Sequence, residues 1–224
     1  EDNLLSGYEN NYLGVFLFQG GFVFLALADI STSELEFIKT RSDDYSKMRS
    51  TICKFSPKEI VVLNSQKDKW NLLFPNEKAM VSILNDPHLE REIDSEKTDF
   101  SLIEKILKAY LRENYRDIDF SFHRAKILDE TKILEMDEDT VRNLNLIEGQ
   151  NEKEHSLFSV LNRCKTQKGK RILKHKILFP TRNMDSIRTQ WKKIELLDKN
   201  KRIKNELKNL LSESADIERI LSRF

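Results

Sequence analysis

Two glycines set between two apolar runs, close to the start of the chain, constrain the local fold more than any other feature. Tyr12-Leu13-Gly14-Val15-Phe16-Leu17-Phe18 reads as a buried strand, and Gln19-Gly20-Gly21 supplies residues that tolerate the positive φ of a tight hairpin. Phe22 to Ala28 returns as a second strand. Asp29-Ile30-Ser31-Thr32-Ser33 then turns the chain again, and Leu35, Phe37 and their neighbours alternate as a third. Asp43 or Asp44 is placed to cap a helix carrying Met48, Ile52 and Phe55 at helical spacing. After Pro57, Ile60-Val61-Val62-Leu63 is apolar on both faces, as a strand covered by helices would be.

Three meandering strands, a helix and a parallel strand predict an α/β sandwich of the RNase H-like kind. Further helices are expected at Glu77–Leu84 and Ser101–Leu111, with the acidic stretch from Asp86-Pro87 to Asp99 as a surface loop. The second half is helical. Thr166 caps a helix expected to bury Ile172, Leu173 and Ile177, and Pro180 stops it, because the residue before a proline is pushed out of the helical region. Asp185 is placed to cap the next helix, with Ile187, Trp191, Ile194 and Leu197 on one face. Ile203, Leu207, Leu210 and Leu211 follow, then Ile217, Ile220, Leu221 and Phe224. The expected fold class is α/β plus all-α.

Composition fits two units. The 224 residues are 39% apolar and 33% charged, enough to build cores and too apolar for a disordered chain. No apolar run approaches bilayer length, and Glu1-Asp2-Asn3 begins no signal peptide. Cys53 and Cys164 stand apart with no C-x-x-C, which points to a reducing, cytoplasmic setting. The chain has no initiator methionine and stops inside an amphipathic pattern, so a piece of a longer protein is expected. A net charge of +1 argues against a dedicated nucleic-acid module. Residues 1–117 hold 15 basic and 20 acidic side chains, whereas residues 118–224 hold 23 and 17, an asymmetry that suits two units with different surroundings.

The most distinctive stretch is Asp139 to Pro180. Asp139-Thr140-Val141-Arg142-Asn143-Leu144 is followed by Ser156-Leu157-Phe158-Ser159-Val160-Leu161 and Thr166, then by Gly169-Lys170-Arg171-Ile172-Leu173 and Pro180. This resembles the opening of the core domain of the MutS mismatch-repair family, D-x-x-T-x-x-N-L, S-L-x-x-x-L-x-x-x-x-T-x-x-G-x-R-x-L and L-x-P. Asp216-Ile217-Glu218-Arg219-Ile220-Leu221 is similar to the family's D-L-E-R-L-L. Glu1-Asp2-Asn3-Leu4-Leu5, Asn11-Tyr12-Leu13 and Ala28-Asp29-Ile30-Ser31-Thr32-Ser33-Glu34-Leu35 resemble its connector domain. Ser33 stands where the family usually has Gly, Phe37 falls two residues late, and Asn145 replaces a frequent Glu. The resemblance implies an RNase H-like connector over 1–117 and a helical core/lever domain over 118–224, truncated before the clamp. It also implies a parent protein that recognises mispaired duplex DNA, works as a dimer, recruits MutL through the connector, and binds ATP and Mg in an ATPase domain absent here.

Direct chemistry is not expected of this segment, and no catalytic, cofactor-binding or metal-binding residues are expected in it. There is no G-x-x-x-x-G-K-[ST]; Lys168-Gly169-Lys170 is a lone glycine between lysines. Two-metal nuclease chemistry needs clustered carboxylates, but the Tyr12–Phe18 run holds none and Asp29 lies at the end of the second strand, as a turn residue of the MutS pattern would. His88, His123, His155 and His175 have no ligand spacing. Arg163, Lys165, Lys168, Lys170, Arg171, Lys174, Lys176 and Arg182 form a run without Asp or Glu, which suits either a solvated helix face or a secondary phosphate contact. Arg171, matching the Arg of G-x-R, is expected to be an ion-pair partner. The alternatives are an RNase H-like nuclease acting through Asp29 and a standalone nucleic-acid-binding adaptor.

Overall fold

The computed structural model describes residues 9–75, 79–93, 100–115, 122, 124–148 and 155–222. They divide into two compact units, Asn10–Leu128 and the chain from Asp129 onward, with Glu9 belonging to the latter.

In the first unit β1 (Tyr12–Gln19) and β2 (Phe22–Asp29) pair antiparallel from Tyr12↔Asp29 to Gln19↔Phe22. Gly20 and Gly21 lie at φ 56° and 78°, the paired left-handed geometry whose twist matches a two-residue hairpin. β3 (Glu34–Arg41) continues the meander. α1 (Tyr45–Phe55) leads to β4 (Glu59–Leu63), parallel to β1. α2 (Lys67–Leu73), β5 (Met80–Leu84), α3 (Pro87–Glu92), α4 (Ser101–Asn114) and β6 (Arg124–Ile127) complete the unit. The six strands lie in the order β5-β4-β1-β2-β3-β6.

Both faces of the central strands are covered. Val15, Leu17, Phe24 and Ala26 pack with Leu102, Ile103, Ile106, Leu107 and Leu111 of α4. On the other side Phe16 meets Trp70 and Phe74 edge-on, with ring centroids 5.1 and 5.8 Å apart, and Tyr12 meets Phe55 of α1 at 5.1 Å. Pairing between β1 and β4 ends at Phe16↔Val62. Beyond it the buried Gln66 side chain substitutes for a strand: its Oε1 accepts from the Phe18 N–H and its Nε2 donates to the Phe18 carbonyl, both at 2.7 Å.

Four local expectations change in the first unit and at its end. The segment read as a helix over Glu77–Leu84 contains β5, which pairs with β4 from Glu59↔Met80 to Leu63↔Leu84; Glu77 itself lies outside the described residues. Five residues make a poor helix but a complete edge strand, so sheet pairing prevails over periodicity. The Asp86–Asp99 loop contains α3, started by Asp86, whose carboxylate accepts from the His88 and Leu89 amides, and by Pro87; residues 94–99 lie outside the described set. Neither Asp43 nor Asp44 caps α1 through its side chain; a 3₁₀ turn, Ser42–Asp44, precedes the helix and Asp44 pairs with Lys47 at 2.6 Å. The division expected after Asp117 falls after Leu128, because β6 joins β3 as the last strand of the sheet.

The second unit is helical: α5 (Glu138–Asn143), α6 (Leu157–Leu161), α7 (Gln167–Leu178), α8 (Met184–Lys199), α9 (Lys201–Ser212) and α10 (Ile217–Leu221). Asp137, Ser156, Thr166 and Asn183 cap four of them by accepting the amides of Thr140, Ser159, Gly169 and Ser186 at 2.7–3.0 Å. Thus Asn183 rather than Asp185 starts α8, with Asp185 in its first turn. The Asn145 and Leu146 carbonyls receive the Leu157 and Phe158 amides, two donors that α6 cannot satisfy internally. Among the described residues of this unit, Leu146, Phe158, Leu178 and Phe179 are the buried apolar ones. Ile172, expected inside, is exposed, and the buried residues of α7 are Arg171 and Leu178.

Candidate functional site

Thr166 and Gly169 set the position of the charged group that dominates the helical unit. A Cβ on Gly169 would stand 2.9 Å from Thr166 Oγ1 and 3.4 Å from Cys164 Cβ, so glycine here leaves room for the capping hydroxyl. The helix so started carries Lys168 and Arg171 three residues apart, hence on one face. Arg171 Nη1 donates to Asp216 Oδ2 at 2.6 Å and Nη2 to Asp216 Oδ1 at 2.8 Å; Nη2 also donates to Glu218 Oε2 at 3.0 Å. Lys168 pairs with the other Glu218 oxygen. Arg219 lies 3.8 Å from Asp216 and donates through Nη2 to the Glu9 carbonyl.

This is a nearly dry cluster: the side chains of Arg171, Asp216 and Glu218 are 5%, 14% and 15% exposed. The Arg171 guanidinium holds the Asp216 carboxyl below the usual carboxylate range. Burial pushes the Glu218 carboxyl up, and Lys168 with Arg171 outweighs it, so its pKa is lowered. Burial likewise opposes charge on Arg171, and Asp216 and Glu218 more than offset it. All three remain ionised at neutral pH. The fork-to-carboxylate geometry fixes orientation as well as distance. Its chemistry is to brace two segments that lie 45 residues apart in sequence.

The basic run is divided by this cluster. Lys168 and Arg171 are matched by Asp216 and Glu218, while Arg163, Lys165, Lys176 and Arg182 are exposed. Asp29, the nuclease candidate, is fully buried. Its Oδ1 accepts from the Ser31 amide at 2.9 Å, the Ser31 hydroxyl at 2.7 Å and the Asn11 amide at 3.3 Å, and its Oδ2 from Asn10 at 2.5 Å. That ties down the β2–β3 turn. Among the described residues no three His, Cys, Asp or Glu side chains are grouped as a metal site. His175 rests against the Phe179 ring at 4.7 Å, and His123 lies outside the described residues. Sequence reading singled out Arg171 and the run from Asp216 to Leu221 but did not join them, nor did it find Gln66. A buried-face position for an arginine, repeated by two carboxylates two residues apart, was the available signal.

An α/β sheet unit and a helical unit define a mixed α/β protein, and its buried charges are matched within each unit. Comparison with known proteins supplies the family. Residues 139–224 match the family described as MutS domain III. The whole chain is 37% identical over 227 residues to the DNA mismatch repair protein MutS of Leptospira interrogans (serogroup Icterohaemorrhagiae), covering 26% of that protein. It is 28% identical over 244 residues to the protein so named from Borrelia hermsii and 26% identical over 245 to that of Borreliella burgdorferi strain ZS7, covering 28% of each. The chain belongs to the MutS family of mismatch-repair proteins, and it spans about a quarter of the length of the curated relatives it matches. No described helix is long and apolar enough to cross a membrane.

Proposed function

We propose that this chain is the connector and the start of the core of a MutS-type protein, and that its work is mechanical. In the parent protein it would carry a conformational bias between a region that recognises mispaired duplex DNA and an ATP- and Mg-dependent motor, both outside this chain. The observation that carries this reading is where the family's polar motif residues go. Ser156 and Thr166 cap helices, Gly169 admits the cap, Arg171 pairs with Asp216 and Glu218, and Asp29 ties a turn. Coupling of distant sites needs packed elements with discrete arrangements rather than reactive side chains.

The sheet supports an RNase H-like connector: a three-strand meander with β4 and β5 added in parallel beyond β1. The connector would be the surface that meets a MutL-like partner, in a dimeric, cytoplasmic protein. By itself the chain would hold no cofactor and turn over no substrate.

Gel-shift titration across salt tests this. Weak, mismatch-indifferent binding with a shallow salt slope is the expected result. Tight, steeply salt-dependent binding by this chain alone would favour an independent nucleic-acid adaptor. Mg²⁺-dependent cleavage abolished by Asp29→Asn would instead favour a nuclease.

A further inference from the structure

α10 is tied to α7 by charge. Ile217, Ile220 and Leu221 are exposed, and no α10 residue is buried. Asp216 occupies the N-cap position without capping α10, because both its oxygens face Arg171. Among the described residues, the ties from this segment include Asp216 and Glu218 to Arg171, Glu218 to Lys168, and Arg219 to the Glu9 carbonyl.

We propose that Arg171 is an electrostatic latch: it fixes α10 against α7, and neutralising Asp216 and Glu218 frees α10 while α7 and the rest of its unit stay folded. Among the described residues, the groups facing Arg171 include Asp216 and Glu218, with Lys168 one turn earlier on α7 and Arg219 beyond Asp216 on α10. His175, one turn later on α7, stacks on Phe179. An apolar contact would be indifferent to acid. A surface ion pair would open in salt, since charges in water are screened within about 8 Å at physiological ionic strength. This latch lies between those cases. Its central guanidinium is shielded from salt, whereas Lys168, 44% exposed, is not. The device therefore responds to loss of carboxylate charge and hardly to ionic strength. It stands on this geometry alone and does not depend on the function proposed above.

Backbone ¹⁵N relaxation of the 224-residue chain at neutral pH tests it, comparing the parent with Arg171→Met and with the shape-preserving pair Asp216→Asn, Glu218→Gln. Order parameters for residues 217–221 are expected to fall below about 0.6, a flexible value, while those of α7 and α4 stay near 0.85. In the unaltered chain acidification beneath the ordinary carboxylate range should produce the same loosening, and 0.5 M NaCl at pH 7 should not. Unchanged order parameters in the two-site variant, release by salt alone, or loss of order throughout α5–α9 together with α10 would each overturn the latch. Should Arg171→Met fail to fold, the two-site variant and the acid titration decide.

Discussion

Ser33, Ser56 and Asn145 are the non-glycine residues at positive φ among those described, at 56°, 49° and 48°. Ser33 occupies the position where the MutS pattern carries glycine, and its backbone shows why: the turn between β2 and β3 needs a left-handed residue, which costs about 1–2 kcal/mol for a side chain bearing Cβ. Ser33→Gly should raise the urea midpoint of the sheet unit by the equivalent of about 1 kcal/mol. Asn145, in place of the family's glutamate, has the side chain that best tolerates such a backbone. Gly169 offers a sharper test. In the parent chain Gly169→Ala gains helix propensity of about 1 kcal/mol but crowds Thr166 Oγ1, endangering a cap of about the same worth, so it should be neutral or destabilising. Once Thr166→Ala has removed the hydroxyl, the same change should stabilise, a reversal of sign readable in a urea double-mutant cycle. Gln66→Leu would leave the Phe18 N–H and C=O without their partner in a buried strand, at about 2–4 kcal/mol in urea unfolding.

At the scale of elements, the tie between α7 and α10 sets a pH dependence. Asp216 and Glu218 have pKa values lowered from 3.8 and 4.5. Lowered acids stabilise the fold fully above their ordinary values, and that contribution disappears as pH falls through the depressed ones. The attachment should be flat between pH 7 and 5 and be lost only as pH falls beneath the ordinary carboxylate range, as followed by the amide signals of residues 217–221. Breaking a trapped ion pair costs about 3–5 kcal/mol because a bare charge stays inside. Here a released α10 carries its carboxylates into water, so Arg171→Met should cost the helical unit less than that, measured by urea unfolding. α8 and α9 show the other face of element-scale reading. Trp191, Ile194, Leu207 and Leu210 recur as an amphipathic pattern predicts and the helices form, yet these side chains are exposed.

Across the whole molecule each unit carries one tryptophan: Trp70 is buried in the sheet unit and Trp191 lies exposed on α8. The sheet unit has a broad core around β1, β2 and α4, whereas the described residues of the helical unit bury few apolar side chains, Leu146, Phe158, Leu178 and Phe179. Single-tryptophan variants, Trp70→Phe and Trp191→Phe, should therefore report non-coincident urea transitions, with the helical unit unfolding first. Coincident midpoints would show that the two units fold as one.

Local order was legible from residues a few positions apart. The hairpin at Gly20-Gly21, the helix begun by Thr166 and the stop before Pro180 depend on φ preferences and caps that act within one turn of chain. Pairings across distance were not. β5 reads as helix by spacing and becomes strand because β4 presents an open edge; the sheet reaches to Ile127 because β3 has another. Arg171 declares itself a charge in the sequence, but only the folded helices bring it to carboxylates 45 residues away. A few neighbouring residues decide which way the backbone bends, whereas ladders and buried ion pairs require surfaces that exist only once the chain has packed.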